Sequence, residues 1–193
     1  MTDAVETPRL RLRRWTSEDA VALAKILAVP DITRYIGEGH AFSKEDTFSW
    51  MMRHRRHWEE FGFGLWAAEL KETGALAGWM GLATPAWLPE VMPATEVGWL
   101  VDKPHWGRGL ATEGGRASLD HAFQTLRLEE VVSICYADNV ASERVMQKIG
   151  LHHERDTAHP RNGARLRIYA MTSTEFEDAA RIEAIRVTNG WTH

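Results

Sequence analysis

Glu96-Val97-Gly98-Trp99-Leu100-Val101-Asp102-Lys103-Pro104-His105-Trp106-Gly107-Arg108-Gly109-Leu110-Ala111-Thr112-Glu113 is the stretch that decides the fold. Its first six residues read as a strand, and Asp102-Lys103-Pro104 ends it. A glycine-bearing loop, Trp106 to Ala111, follows, and a helix is then expected over Thr112–Leu126. Glycines let a backbone approach a ligand closely. The first turn of a helix offers unpaired N–H groups and the positive end of the dipole. Together they make a seat for phosphate or diphosphate. Arg108 adds a positive charge at its mouth. The Gly-Lys-Ser/Thr of a Walker A loop is absent, and so is the Gly-x-Gly-x-x-Gly of a dinucleotide fingerprint. A tight strand-to-helix turn that needs glycine only for its backbone reads the same residues equally well.

Outward from this stretch, Arg9-Leu10-Arg11-Leu12-Arg13 alternates with period two, as a strand does. Thr16 or Ser17 is the expected cap of a helix carrying Ala20, Leu23, Ala24 and Leu27 on one face and stopped by Pro30. Ser43-Lys44-Glu45-Asp46 resembles a capping box, with Phe48, Met51 and Met52 as the apolar stripe of the helix behind it. Strands are expected over Phe63–Leu70, Leu76–Leu82, Glu129–Ala137 and Leu166–Met171, and helices over Asn139–Lys148 and Thr174–Arg186. Strands in runs, then alternating with helices, point to a mixed α/β sheet with helices on both faces.

The 193 residues suit one domain, 1–193, with 44% hydrophobic and 26% charged residues, enough for a full core without metal or disulfide. No apolar run reaches the roughly 20 residues of a membrane-spanning helix, so no membrane partner is expected. The opening Met-Thr-Asp-Ala-Val-Glu lacks the layout of a secretory signal, and the lone Cys135 allows no internal disulfide, so a cytoplasmic location is the default. The net charge of -4 ranks nucleic acid low as a partner.

Glu96 to Val101, Pro104 and Trp106-Gly107-Arg108-Gly109-Leu110-Ala111-Thr112-Glu113 resemble the GNAT superfamily of acyl-CoA-dependent N-acetyltransferases. Asn139-Val140-Ala141-Ser142-Glu143-Arg144-Val145-Met146-Gln147-Lys148-Ile149-Gly150-Leu151 is similar to a second motif of that family, at the expected distance. Thr7-Pro8-Arg9-Leu10-Arg11-Leu12-Arg13 and Thr73-Gly74-x-x-x-Gly78 resemble its RimJ/RimL branch, the ribosomal-protein N-terminal acetyltransferases. The likeness runs from about Thr7 to Met171. It implies a mostly antiparallel sheet of about seven strands, splayed between the fourth and fifth. It implies acetyl-CoA as co-substrate, no metal, and an amine acceptor, either a protein N-terminus or a small molecule. Transfer is expected by direct attack in a ternary complex, and a homodimer is compatible with the family. A non-catalytic acyl-CoA-binding or sensing module remains the alternative.

The resemblance assigns Glu96 as the base and a backbone N–H of Leu100 or Val101 to the thioester carbonyl. The loop Trp106, Gly107, Arg108, Gly109, Leu110, Ala111 and Thr112 takes the diphosphate, with Trp106 where relatives often carry Gln or Arg. Asn139 and Ser142 contact the pantetheine arm. Met146 stands where many relatives have a tyrosine acid, so Ser142 is the candidate acid; it equally reads as a cofactor contact or helix cap. Other readings are plainer. Arg53-His54-Arg55-Arg56-His57 reads as a solvated helix face, and no partner completes a metal site at His54 and His57. Cys135 reads as a small buried apolar residue. Trp50, Trp58, Trp66 and Trp79 are core candidates, and Trp87 a candidate for a substrate mouth.

Overall fold

The computed structural model describes residues 4–37 and 39–188. Eight strands form one sheet: β1 Ala4–Glu6, β2 Leu10–Arg13, β3 Leu65–Leu70, β4 Leu76–Ala83, β5 Glu96–Val101, β6 Glu130–Tyr136, β7 His152–Ala158 and β8 Arg165–Thr172. The helices are α1 Asp19–Leu27, α2 Pro30–Thr33, α3 Lys44–Phe61, α4 Leu110–Asp120, α5 Val140–Lys148 and α6 Ser173–Thr188. The strand order is β1-β2-β3-β4-β5-β6-β8-β7. Every neighbouring pair is antiparallel except β5 and β6, which run parallel.

The sheet therefore has eight strands rather than about seven. The extra one, β1, is three residues long, too short to carry a period-two signal. Its addition makes the splayed pair the fifth and sixth strands, the same segments that the sequence marks as fourth and fifth.

Period two at β2 works as expected, with Leu10 and Leu12 fully buried and packed towards α4. On this face lie Trp66, Met80, Leu110 and Ala117; farther along it lie Leu82, Val97, Leu119, Phe123 and Val131. The opposite face of β3 to β5 is covered by α1 and α3 through Trp15, Leu23, Leu27, Trp50, Met51, Leu65 and Leu100. Leu88, from the β4–β5 connection, is buried against Val132, Leu166, Ile168 and Ala170.

Helix ends follow side-chain chemistry. Ser43 and Asp46 form a complete capping box at α3. At α1 the cap expected from Thr16 or Ser17 is replaced. The helix begins after Glu18 without a side-chain cap, and Asp19 reaches back instead, accepting from the Thr16 backbone N–H at 2.8 Å. That carboxylate also receives a two-pronged bond from Arg13, at 2.8 Å on each oxygen. Pro30 does not act only as a stop, since it opens α2 as its first residue. The apolar stripe of α3 is also shifted. Thr47, Trp50, Met51 and Trp58 are buried, whereas Phe48 and Met52 stand exposed. α4 opens at Leu110, two residues ahead of the expected Thr112, because Gly109 with its positive φ is the N-cap; it closes at Asp120, and a single π-turn, His121–Thr125, continues it.

Candidate active site

Strands β5 and β6 share a single register pair, Glu96 with Val132. There the Val132 N–H donates to the Thr95 carbonyl at 2.9 Å, and the Ser133 hydroxyl donates to the Val97 carbonyl at 2.9 Å. Past Val97 the two strands pair only with their outer neighbours, β4 and β8. The result is a V that opens towards the carboxyl ends of both strands, where α4 and α5 begin.

Alternation decides which β5 amides face this gap. The Asp102 N–H donates to Ala77 of β4 at 2.7 Å, so even-numbered residues turn their amides to β4. Val97, Trp99 and Val101 turn theirs to the gap. Of the two candidates for the carbonyl contact, Val101 therefore presents its N–H to the V, and Leu100 does not. Trp106 lies over the end of the strand and donates its indole N–H to the Val101 carbonyl at 2.6 Å. An aromatic donor at this position thus ties the loop back to β5.

Gly107 and Gly109 adopt φ of 73° and 78°, the left-handed region that glycine enters without strain. Gly109 is the N-cap of α4, and no side chain caps the helix, so the amides of Leu110, Ala111 and Thr112 point out of its first turn. A Cβ built on Gly107 would meet nothing within 4 Å. The exposed Arg108 lies with Nη1 3.2 Å from His105 Nδ1. The open cradle, the uncapped amides and the adjoining V fit a diphosphate with an extended arm threaded between the strands. Asn139, the N-cap of α5, accepts from the Ser142 N–H through Oδ1 at 3.1 Å, which leaves its amide NH2 free to donate. Ser142 sits half-buried in the first turn of that helix. Met146 is fully buried in the core cluster of Val97 and Leu119, so this helix position faces the interior.

Glu96 occupies the hinge of the V. Burial pushes its carboxyl up to about 7, against the opposing pull of the Ile134 backbone and the Trp87 side chain. It shares a sheet face with Gly98 and Leu100, opposite Ala83, Gly81 and Trp79. A Cβ on Gly98 would meet only the Trp79 ring, at 3.6 Å. α3 roofs this face. Trp50 packs on Trp79 with centroids 5.6 Å apart. One residue line farther, His57 donates from Nδ1 to the Phe63 carbonyl at 2.8 Å and accepts the Thr84 N–H through Nε2 at 3.2 Å. His54 lies between these anchors along α3, with its ring 4.0 Å from that of Trp50. Desolvation, with Arg53 and His57 adding to it, lowers its pKa to about 3, so the imidazole is neutral. His54 Nδ1 and Trp79 Nε1 are buried without a protein partner.

These histidines depart from the solvated reading of the basic run. Only Arg53 and Arg56 are exposed, whereas His54, Arg55 and His57 are half-buried. The available signal was their spacing, which continues the line of Trp50, Met51 and Trp58. Trp87 is 43% exposed and stacks on His159 at 5.4 Å. A cleft of about 390 Å3 opens at the end of β6, between Arg34, Tyr35, Tyr136, Asp138 and Arg165. Among the described residues no cluster of His, Cys, Asp and Glu could hold a metal ion, and no helix is long and apolar enough to cross a membrane.

Comparison with known proteins matches residues 9–152 to the acetyltransferase (GNAT) domain family. YkkB of Bacillus subtilis strain 168 is 33% identical over 150 residues, covering 77% of this chain and 85% of that protein. The FsC-acetyl coenzyme A-N(2)-transacetylase of Aspergillus fumigatus is 30% identical over 157 residues, covering 77% of this chain and 65% of that protein. Among solved structures, RimL, the ribosomal L7/L12 alpha-N-protein acetyltransferase in complex with coenzyme A, superposes with a TM-score of 0.72 over 88% of this chain and 97% of its own. At 17% identity that likeness speaks for the fold alone.

Proposed function

The chain belongs to the acetyltransferase (GNAT) family and is an acetyl-CoA-dependent N-acetyltransferase, and from this premise we propose that a primary amine bound beside Glu96 attacks the thioester directly, in a ternary complex. The observation that carries the reading is the hinge: a carboxyl pushed up to about 7 at the point where the two parallel strands part.

The arriving amine is an ammonium at neutral pH and must lose a proton before it attacks. A carboxylate whose pKa lies near the working pH takes that proton with little penalty, directly or through one water. Acetyl-CoA supplies the activated acetyl group. Leu110, Ala111 and Thr112 N–H groups with Arg108 bind its diphosphate, and the Asn139 amide donates to the pantetheine arm. The Val101 N–H faces the gap and donates to the thioester oxygen as negative charge builds there. Ser142 lies beside Asn139 at the start of α5 and is the group placed to hand a proton to the departing sulfur. A thiol of pKa about 8.5 leaves tolerably without one, so this role is secondary.

The acceptor enters over Gly98, beside Trp79 and Trp87. A peptide N-terminus and a small primary amine both suit a carboxylate flanked by Trp79 and Trp87. The deciding experiment is release of free thiol from acetyl-CoA across a panel of N-terminal peptides, amino acids, amino sugars and polyamines. Amine-dependent release that Glu96→Gln slows at least tenfold is expected. Coenzyme binding with no release under any amine would make the chain an acyl-CoA sensor.

A further inference from the structure

Thr7 and Arg9 lie on the segment that enters β2, about a hundred residues from the loop in sequence, yet they are bonded to it. Glu113, in the first turn of α4, accepts from the Thr7 hydroxyl at 2.6 Å and from the Arg9 backbone N–H at 2.8 Å through Oε1. Its Oε2 accepts from Arg9 Nε at 2.6 Å. Arg9 Nη1 donates to the Arg108 carbonyl at 2.6 Å. The remaining nitrogen, Nη2, lies 3.5 Å from where a Cβ of Gly109 would stand. Thr7 is buried, and the Glu113 side chain is 13% exposed.

We propose that Arg9, held by Glu113, is a positioning and binding residue for the coenzyme diphosphate. The inference rests on the reading that the loop takes acetyl-CoA. Its parts follow from the geometry. The bond from Nη1 draws the Arg108 carbonyl to the β2 side, which keeps that acceptor oxygen away from an anion and leaves the amides after Gly109 facing it. Nη2 has no partner among the described residues and sits at the edge of the cradle, where it adds a second guanidinium beside Arg108. Glu113 by itself is a liability, a carboxylate one turn from a bound anion. Burial pushes its carboxyl up, but the Thr7 hydroxyl, the Arg9 amide and the Arg9 guanidinium more than offset this and hold it ionised. It is tolerated because it fixes the arginine: the fork spends Nε on Glu113 and Nη1 on Arg108, and so aims Nη2.

Two variants separate this from a merely structural salt bridge, read by calorimetry with acetyl-CoA, ADP and pantetheine. Arg9→Met is expected to weaken acetyl-CoA and ADP together by about tenfold to a hundredfold, the range of one charge-assisted contact. Pantetheine, which lacks the diphosphate, should change less than twofold. Arg9→Lys keeps the charge but cannot span both partners, and should recover only part of the loss. Glu113→Gln gives the sharper sign. Removing a carboxylate near an anion site should tighten ADP by simple electrostatics, whereas the brace requires ADP to bind more weakly. Tighter ADP binding in Glu113→Gln, or Arg9→Met affinities within twofold of wild type, overturns the inference. Equal losses for ADP and pantetheine overturn it as well. Gly109→Trp tests the underlying reading separately. If that variant keeps full acetyl-CoA affinity, the loop is not the coenzyme site and both claims fall. If it loses affinity while Arg9→Met does not, only the role of Arg9 falls.

Discussion

If Glu96 is the base, as proposed, it sets the pH behaviour of the chemistry. Its carboxyl is raised from 4.5 to about 7, with desolvation the largest cause. In the proposed role the ionised form is the base, so kcat/KM should climb through about pH 7 and level off above it, and Glu96→Gln should flatten the profile as well as lower it. The same shift acts on stability with the opposite sense. Between 4.5 and about 7 the folded state holds a proton that the unfolded chain has released, so stability falls as pH rises across that window. Glu96→Gln should then match wild type in thermal midpoint at pH 4 and exceed it at pH 8, as scanning calorimetry would read. Cys135 gives a second residue-scale test. Burial, then the negative charge of Glu143, pushes its thiol up to about 12. Alkylation by iodoacetamide at pH 8 should proceed at least a hundredfold more slowly in the native protein than in guanidinium, since little thiolate is present. Residue types at 96 and 135 were legible in the sequence because their positions on strands were. The half-buried state of His54 was not, since its neighbours Arg53, Arg55 and Arg56 mask the inward line that it shares with Trp50. Nor could side chains tell Leu100 from Val101, because the difference lies in which way a backbone amide points.

Elements were read well where one side chain determines a boundary. Ser43 and Asp46 cap α3 as their spacing implies. They were read less well where the deciding partner is distant. Asp19 is committed to Arg13, so the cap written locally at Thr16 or Ser17 does not form. The seating of α4 is another such case. A Cβ on Gly114 would lie 1.8 Å from Met80 Sδ, and one on Gly78 would lie 2.0 Å from the Leu100 carbonyl oxygen. The first contact lets α4 settle directly on β4, and the second lets β4 approach β5. Gly114→Val should cost about 1 to 3 kcal/mol from overpacking. Met80→Ala in the same chain should return part of that loss by vacating the space, a non-additive cycle visible in urea denaturation. Additive losses would show that the helix shifts away from the sheet instead. At Gly78 the obstacle is a main-chain atom at φ of 142°, so Gly78→Ala has no equivalent rescue.

At the scale of the whole molecule, the sheet is two blocks, β1–β5 and β6–β8, joined by one register pair. What keeps the V open but fixed is packing on its two faces. On one side a single cluster takes Leu82 and Val97 from the first block and Val131, Cys135 and Met171 from the second, with Leu119 of α4 and Met146 of α5 between them. On the other, Leu88 reaches from the β4–β5 connection to Val132 and Ile168. The run of strands and helices foretold this architecture, but the seam itself was reached only through the family resemblance, because a missing ladder leaves no trace in hydrophobic period. A ligand threaded into the V touches both blocks and the starts of α4 and α5, so its binding energy acts on the weakest seam of the fold. Coenzyme A at about 100 times its Kd adds about 2.7 kcal/mol to unfolding by mass action. For a chain of this size that corresponds to a midpoint rise of about 5 to 10 °C. The rise should grow with the logarithm of coenzyme concentration and vanish in Gly109→Trp. A coenzyme that raises the midpoint of both proteins equally would be bound somewhere other than the seam.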